Sequence, residues 1–263
     1  MADTARHYQR KVLTVLPAAA LGVGTLALTE LAARRGWVAP NVLPAPSAVL
    51  RALRDNPDVL LTNTLQTLSE TALGFGLALL IGVGVAVVLR RSKRLRQTLM
   101  PWLVISQTIP LIALAPLLLV WLGFGLWPKI IVVTLFCFFP ITVSTLGGLL
   151  QPQPVLEDLL RSYDASARQR DWLLRFPAAL PAFFTGLRLS ASYAVTAAIV
   201  GEYVGGYAGL GIFIQTSANA RAINLVFAAI ALTALLSVLL VGLVNLTERA
   251  ALRGRPPASE EHL

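Results

Sequence analysis

The sequence is short of charge, histidine and cysteine. Only 13% of its 263 residues are charged, about half of the roughly 25% typical of a soluble domain, while 56% are hydrophobic. Both histidines, His7 and His262, lie in the terminal tails, and Cys137 is the single cysteine. These shortages argue against a soluble globular protein, against a disulfide within the chain, and against a metal site or catalytic triad built on histidine.

Motifs of catalysis and nucleotide binding are also missing. The sequence has no P-loop, no His-Glu zinc motif, no nucleophile elbow and no paired cysteines. We therefore expect no catalytic residue, metal or cofactor on this chain. The glycine-rich run 205–211 follows a membrane span instead of a strand, which favours a turn or re-entrant connection over a nucleotide loop.

Six apolar stretches are each long enough to cross a bilayer, which takes about 20 residues of helix. They lie at 12–31, 64–89, 99–121, 129–150, 186–204 and 223–246. The first follows Arg10 and Lys11 and resembles a signal peptide, but its length favours a helix that is retained. The sequence predicts an all-α membrane protein with a single domain over 1–263, an outer loop at 32–62 and a flexible tail at 250–263.

The basic residues indicate how these spans are oriented. If six helices alternate in direction, sixteen of the 22 Lys and Arg residues fall on the side of both termini, and six, Lys129 among them, fall on the other. The positive-inside rule places the richer side, with both termini, in the cytoplasm. The net charge of +9 then reflects topology and contacts with lipid headgroups, and we expect no nucleic-acid partner.

Residues 151–185 form a cytoplasmic loop between the fourth and fifth spans that is too polar to lie in lipid. Leu156, Leu159, Leu160 and Tyr163 recur at helical spacing and predict a short amphipathic helix. Such a helix either packs on its own bundle or docks into a partner. A solvated elbow that only joins two spans is the plainer alternative.

This loop resembles the EAA loop of the permease subunits of ABC importers. That motif reads E-A-A, three residues, G, nine residues, a hydrophobic residue, one residue, then L-P. Asp158 stands at the glutamate position, Leu159 and Leu160 at the two alanines, and the closing pair is Phe176-Pro177. Asp164 stands where the family has glycine, the residue that most easily adopts the left-handed conformation.

The resemblance covers most of residues 40–245. It includes Pro110 to Gly125, Phe138-Phe139-Pro140-Ile141, Thr185-Gly186-Leu187-Arg188 and Gly201-Glu202-Tyr203-Val204-Gly205. It implies the permease subunit of an ATP-driven importer in the bacterial inner membrane, which forms the pathway for a small polar or heterocyclic solute. The branch that it looks like serves nitrate, sulfonate, taurine and thiamine-pyrimidine or riboflavin-type substrates, and the Phe-Phe-Pro and Gly-Glu-Tyr-Val-Gly stretches favour the pyrimidine and riboflavin side.

The resemblance also implies partners. They are a second permease subunit, expected to be a copy of this chain, two cytoplasmic ATPases that carry ATP and Mg²⁺, and an external binding protein that delivers the substrate. Residues 158–170 would then be the coupling helix, seated in a groove of the ATPase. The residues implied at this contact are Tyr163, Ala165 and Ser166 at its centre, Arg161, Arg168 and Arg170 at its rim, and Asp158 and Asp164 from the motif itself.

Four polar residues in the spans are candidates for the translocation pathway. Ser106, Gln107 and Thr108 precede Pro110, and they either line the pathway or satisfy the backbone at a kink. Glu202 lies in the outer half of the fifth span, where a carboxylate usually faces a cavity.

Glu202 also leaves alternatives open. It could instead be an interface carboxylate that pairs with Arg221, and Glu70, near the start of the second span, is expected at the interface as well. An ion-coupled secondary transporter would need a buried carboxylate that changes protonation during transport, and Glu202 is the candidate. A membrane scaffold that moves no solute is the other rival.

Overall fold

The computed structural model describes residues 17, 20–39, 41–151 and 154–253, and every regular element within these ranges is helical. The chain divides into two compact units. One comprises Met1–Leu61 with Phe213–Ala231, and the other comprises Thr62–Ile212 with Leu232–Leu263. The prediction of a single domain over the whole chain is not tested by this division and stays a prediction.

In the first unit, the carboxylate of Glu30 holds two helices together. Helix α1 covers residues 20–34, and α2 covers Pro46–Asp55. The Ser47 N–H donates to Glu30 Oε2 at 3.0 Å, and its hydroxyl donates to Oε1 at 2.8 Å. Because the N–H groups of a first helical turn have no partner within the helix, this carboxylate satisfies one of them. Of the predicted first span, residues 12–16, 18 and 19 lie outside the described residues.

Among the described residues, four helices are long and apolar enough to cross a membrane, and they match the predicted second, fourth, fifth and sixth spans. These are Pro57–Arg91, Leu126–Leu150, Ala167–Gly205 and Ile223–Ala251. We call Pro57–Arg91 α3, Leu126–Leu150 α6 and Ile223–Ala251 α11. The Ala167–Gly205 span consists of α8 (Ala167–Arg170), a π-helical turn at Asp171–Arg175 and α9 (Phe176–Gly205).

The predicted third span, 99–121, is not one straight helix. It is divided into α4 (Lys93–Thr108) and α5 (Leu111–Leu122), which meet at an angle of 80°. The break lies at Ile109, which is extended (φ −73°, ψ 120°), because Pro110 disfavours a helical residue before it and cannot donate a backbone hydrogen bond. Since such a pair is either a broken span or a re-entrant loop, six crossings and cytoplasmic termini stay a prediction.

The core of the second unit lies between α6 and α9, which pack closely because glycine stands at their contacts. A Cβ on Gly186 would lie 2.6 Å from the carbonyl oxygen of Pro140, and one on Gly148 would lie 2.9 Å from the Ala179 Cα. Around these contacts the fully buried side chains are small or branched, such as Cys137, Ile141 and Ala194. The two helices therefore form a rigid pair that positions polar groups at both of its ends.

Candidate functional site

The polar loop 151–185 forms a helical hairpin, and its turn is made by Asp164. The predicted amphipathic helix is confirmed as α7, Pro154–Ser162. Asp164 is left-handed (φ 53°), its N–H donates to the Arg161 carbonyl at 3.0 Å, and the Ala165 N–H donates to the Leu160 carbonyl at 3.0 Å. This pair of bonds is the Schellman motif that usually requires glycine. Aspartate, one of the few residues that tolerate this conformation, thus makes the turn at the family's glycine position.

Ser166 begins the second helix of the hairpin. The Gln169 N–H donates to Ser166 Oγ at 3.3 Å, and the Ser166 N–H donates to Gln169 Oε1 at 2.8 Å. These reciprocal bonds form a capping box, which fixes the start of α8. The chain from Asp164 to Ser166 is therefore a defined bend and not a loose elbow.

One surface of the hairpin is apolar and uncovered by the rest of the described chain. The Val155, Leu159 and Tyr163 side chains are 79%, 49% and 77% exposed. Of the eight residues predicted to contact an ATPase, six are exposed and two are half-buried. The exposed ones are Asp158, Arg161, Tyr163, Asp164, Ser166 and Arg168, and the half-buried ones are Ala165 and Arg170. An exposed aromatic side chain among charged ones is typical of a surface that binds another protein.

Four charged residues join the hairpin to the ends of the membrane helices, and we call Arg90, Glu157, Asp171 and Arg175 the ionic brace. Glu157 is buried and accepts a hydrogen bond from Arg175 at 2.5 Å. Asp171 pairs with Arg175 at 3.7 Å and accepts a hydrogen bond from Arg90, the penultimate residue of α3. Burial opposes the charge on Glu157, but the hydrogen bonds from Arg175 and Arg161 outweigh it and lower the pKa of the carboxyl below its ordinary value.

No sequence pattern predicts the whole ionic brace. Part of it had a local signal, because Glu157–Arg161 and Asp171–Arg175 are spaced at i, i+4, where opposite charges meet on a helix. Arg90 is 81 residues from Asp171, and no pattern links the two. It was instead counted among the charges that set topology.

A buried polar cluster lies at the other end of the α6–α9 pair. It consists of Thr67, Glu70, Lys129 and Glu202, all of them buried. Lys129 Nζ donates to Glu70 Oε1 at 2.6 Å, and the Thr67 hydroxyl donates to Glu202 Oε1 at 2.6 Å. Glu70 was expected at the membrane interface, and this expectation is wrong, because its carboxylate is buried and pairs with Lys129 in the protein interior. Lys129 was counted among the outer charges, and its side of the membrane stays a prediction.

The cluster also holds the glycine-rich turn, which leads into α10 (Leu210–Asn219). Three consecutive backbone N–H groups of the turn donate to side chains of the spans. The Gly209 N–H donates to Asn63 Oδ1 and the Leu210 N–H donates to Thr67 Oγ1, each at 2.8 Å. The Gly211 N–H donates to the Glu202 carboxylate. A Cβ on Gly209 or Gly211 would overlap the Glu202 carboxylate. Glycine is therefore required for the approach of this turn to Glu202.

A cavity of about 780 Å³ opens between α4, α5, α6 and α9. Its lining includes Ser106, Gln107, Phe138, Phe139, Ser144 and Tyr193, and none of its lining residues is charged. Two of the four predicted pathway residues, Ser106 and Gln107, thus meet at one cavity. Thr108 and Glu202 are not among its lining residues, and the pathway role predicted for all four residues stays a prediction.

Comparison with known proteins identifies the family. The protein-family model described as "binding-protein-dependent transport system inner membrane component" matches residues 78–253 of this chain. A probable ABC transporter permease of Haemophilus influenzae is 38% identical over 84% of this chain and 89% of its own length. The formylaminopyrimidine transport permease of Halalkalibacterium halodurans is 38% identical over 66% of this chain and 70% of its own length. The riboflavin transport permease of Chloroflexus aurantiacus is 36% identical over 81% of this chain and 80% of its own length.

The fold has a counterpart of known structure. A chain of the methionine ABC transporter MetNI, in an inward-facing conformation, superposes with a TM-score of 0.64 at 22% identity, over 73% of this chain and 96% of that one. At this identity the likeness shows the fold alone, whereas the family match and the curated relatives share sequence over most of the chain. This chain belongs to the family of inner-membrane components of binding-protein-dependent transport systems, and it is a multi-pass permease subunit of an ABC importer.

Proposed function

We propose that two copies of this chain form the pathway of an ATP-driven importer, and that a cytoplasmic ATPase, which carries ATP and Mg²⁺, docks on the hairpin 154–175. Each copy would cross the membrane six times with its termini in the cytoplasm, and an external binding protein would deliver the solute. The observation that carries the proposal is the hairpin. It combines a fixed bend, an uncovered apolar surface and an ionic connection to the membrane helices.

The geometry of the hairpin suits it to transmit movement from a partner to the membrane helices. The Tyr163 side chain is exposed at the bend, so a partner bound to it contacts a short segment whose backbone is fixed by hydrogen bonds. The ionic brace joins this segment to α3 through Arg90 and to the start of α9 through Asp171 and Arg175. Movement of the ATPase would therefore shift these helices as rigid bodies, which is how small changes at an interface become domain motions.

We further propose that the solute is an uncharged heterocycle. The cavity offers aromatic rings from Phe138, Phe139 and Tyr193 and the amide of Gln107. Rings stack on planar ligands, and an amide can both donate and accept hydrogen bonds. A sulfonate or nitrate would instead call for a cation such as arginine. The similarity to permeases named for formylaminopyrimidine and riboflavin supports the same class.

Purification of the tagged chain in mild detergent tests the docking. A P-loop ATPase should co-purify with the wild type, and Tyr163→Ala and Asp158→Lys should release it. Tyr207→Ala is the matched control, because Tyr207 is 80% exposed against 77% for Tyr163 but lies outside the hairpin. If the folded wild type retains no ATPase in several detergents, the proposal fails, and the ion-coupled alternative with Glu202 takes its place.

Transport assays in proteoliposomes test the solute class. With the ATPase and the external binding protein present, a labelled pyrimidine or flavin should stimulate ATP hydrolysis and accumulate, and taurine or nitrate should do neither. Gln107→Ala should slow the uptake of the heterocycle by about 10-fold, as expected for the loss of one polar contact of about 1.4 kcal/mol. Uptake of taurine or nitrate in preference to the heterocycle would contradict the assignment.

A further inference from the structure

The buried polar cluster contains one more acid than base. Glu70 and Glu202 are both 0% exposed, and Lys129, at 4% exposed, is the one cation that contacts them among the described residues. The remaining partners of the two carboxylates are neutral, namely the Gln66 amide, the Thr67 hydroxyl and a backbone N–H. If both carboxyl groups were ionised, a net negative charge would remain in the interior, at a high cost in desolvation.

The hydrogen bonds of the four carboxyl oxygens show where the missing positive charge belongs. Glu70 Oε1 accepts from Lys129 at 2.6 Å and from Gln66 at 2.7 Å. The Glu202 oxygens accept from Thr67 and from the Gly211 N–H. Glu70 Oε2 alone is buried without a partner among the described residues. Glu202, the other carboxyl group of the cluster, is bonded to Thr67, which lies one helical turn before Glu70 on the same face of α3. Two carboxylates cannot bond to each other unless one of them carries a proton.

We propose that Glu70 and Glu202 bind one proton between them, carried by the Glu202 carboxyl group and donated to Glu70 Oε2. This proton leaves one ammonium group and one carboxylate, so the cluster is neutral, and it gives the last buried oxygen its hydrogen bond. Glu70 is the better site for the negative charge, because its carboxylate pairs with the Lys129 ammonium at 2.6 Å, whereas the donors to Glu202 are neutral.

The proton would lock one end of the helix bundle. The cluster joins α3 through Thr67 and Glu70, α6 through Lys129 and α9 through Glu202, and it also fixes the turn before α10. Loss of the proton would place two facing carboxylates in the interior and separate α3 from α9. In the orientation proposed above, on which this assignment of sides rests, the locked end is the outer one. The proton would set how tightly this end closes, and transport would not consume it.

Infrared spectroscopy and thermal unfolding of the full chain, purified in detergent, test the proposal. The wild type should show the C=O stretch of a protonated carboxyl group, shifted in D₂O, at about pH 7, where an exposed glutamate is ionised. Because the folded state would hold a proton that the unfolded state releases, the unfolding equilibrium constant should rise by up to about tenfold per pH unit once the pH exceeds the unfolded-state pKa of about 4.3, and it should level off where the folded state loses its proton.

Glu70→Gln is the decisive variant. Its amide oxygen can accept from Lys129 and Gln66, and its NH₂ can donate to Glu202, so it keeps a hydrogen bond between the two side chains without a shared proton. It should fold, lack the infrared band and lose the pH dependence. Glu248→Gln is the control, because Glu248 pairs with Arg188 outside the cluster, and it should keep both signals. If Glu70→Gln does not fold, Glu202→Gln should remove the same band.

Three results would overturn the proposal. One is a wild type without the band, and a second is a pH dependence that Glu70→Gln or Glu202→Gln leaves unchanged. The third is stabilisation by NaCl but not by choline chloride in the absence of the band, which would place a metal cation where we place the proton. These readouts do not depend on whether an ATPase grips the hairpin, so failure here is distinguishable from failure of the proposed function.

Discussion

Replacement of Asp171 by asparagine tests whether the ionic brace transmits force. The Asp171 carboxylate accepts a hydrogen bond from Arg90 at the end of α3 and pairs with Arg175 just before α9. Asparagine has nearly the same shape but no charge. We therefore expect the hairpin to keep its fold and its ATPase, while its connection to α3 weakens.

The burial of the pair sets the size of the effect. The Arg90 side chain is 9% exposed and that of Asp171 is 24% exposed. A hydrogen bond to a charged group contributes roughly 1.5–3 kcal/mol, and breaking a fully buried ion pair costs roughly 3–5 kcal/mol. Asp171 keeps contact with water, and asparagine can still accept one hydrogen bond. We therefore expect the contact between the hairpin and α3 to lose about 2 kcal/mol of stabilisation, within the range for a single hydrogen bond to a charged group. That is about a 30-fold change in the equilibrium between joined and separated states.

Glu248→Gln provides the matched control for this experiment. It breaks the pair between Arg188 of α9 and Glu248 of α11, whose atoms lie 2.5 Å apart, and leaves the hairpin untouched. Both variants should unfold at lower temperature, and both should retain the ATPase in detergent. In proteoliposomes, however, only Asp171→Asn should lower the number of solute molecules moved per ATP hydrolysed.

Transmission of force by the brace is refuted if Asp171→Asn transports as many solute molecules per ATP as the wild type while its unfolding temperature falls. The pair would then stabilise the fold without transmitting movement. An equal loss of coupling in Glu248→Gln would also contradict it, because general loosening of the bundle would explain both results. Rescue by exchange of charges, with Arg90→Asp and Asp171→Arg combined, would support the brace further.

Three further changes follow from local geometry. Asp164→Gly should raise the free energy of unfolding by about 0.5 kcal/mol and Asp164→Val should lower it by about 1–2 kcal/mol, since the left-handed conformation favours glycine; equal thermal stabilities would contradict this. Gly209→Ala should cost at least about 2 kcal/mol and reduce the yield of folded protein, because φ is +124° and the new Cβ meets Glu202; a normal yield would count against the turn as described. The pKa of Glu157 is lowered on folding, so its pairing with Arg175 stabilises the protein at pH values above the unfolded-state pKa of about 4.3. This stabilisation is lost as the pH falls through the folded-state pKa. In acid, the free energy of unfolding of Glu157→Gln should therefore change less with pH than that of the wild type, and an unchanged slope would refute the pairing.

The sequence was sufficient to predict the elements that arise from a local pattern of apolar and polar residues. Four apolar spans and the amphipathic helix α7 were predicted from composition and spacing, because each depends on residues near one another in sequence. The bend between α4 and α5 was not, since a proline within an apolar run is compatible with a straight, a kinked or a broken span. The turn at Asp164 was located by its motif, but only the structure shows aspartate in the left-handed conformation.

Pairing between distant residues escaped the sequence analysis. Lys129 follows a loop and begins an apolar run, just as a topology determinant does, and its partner Glu70 is 59 residues away. The same holds for Arg90 and Asp171. A lone charge near the end of a span has two physical outcomes, solvation at the interface or a buried pair, and only the tertiary structure shows which one the chain adopts.

These two pairings share the same helices. On α3, Glu70 and Arg90 are 20 residues apart, which is about 30 Å along a helix and about the thickness of the hydrocarbon core. The α8–α9 span carries Asp171 at one end and Glu202 at the other. The two helices are therefore joined at one end by the Arg90–Asp171 ion pair and at the other by the hydrogen bond from Thr67 to Glu202. A force applied at the hairpin cannot tilt one of them alone without breaking one of these contacts, so the pair should move as one body, and the proton on Glu70 and Glu202 would determine how freely its far end opens.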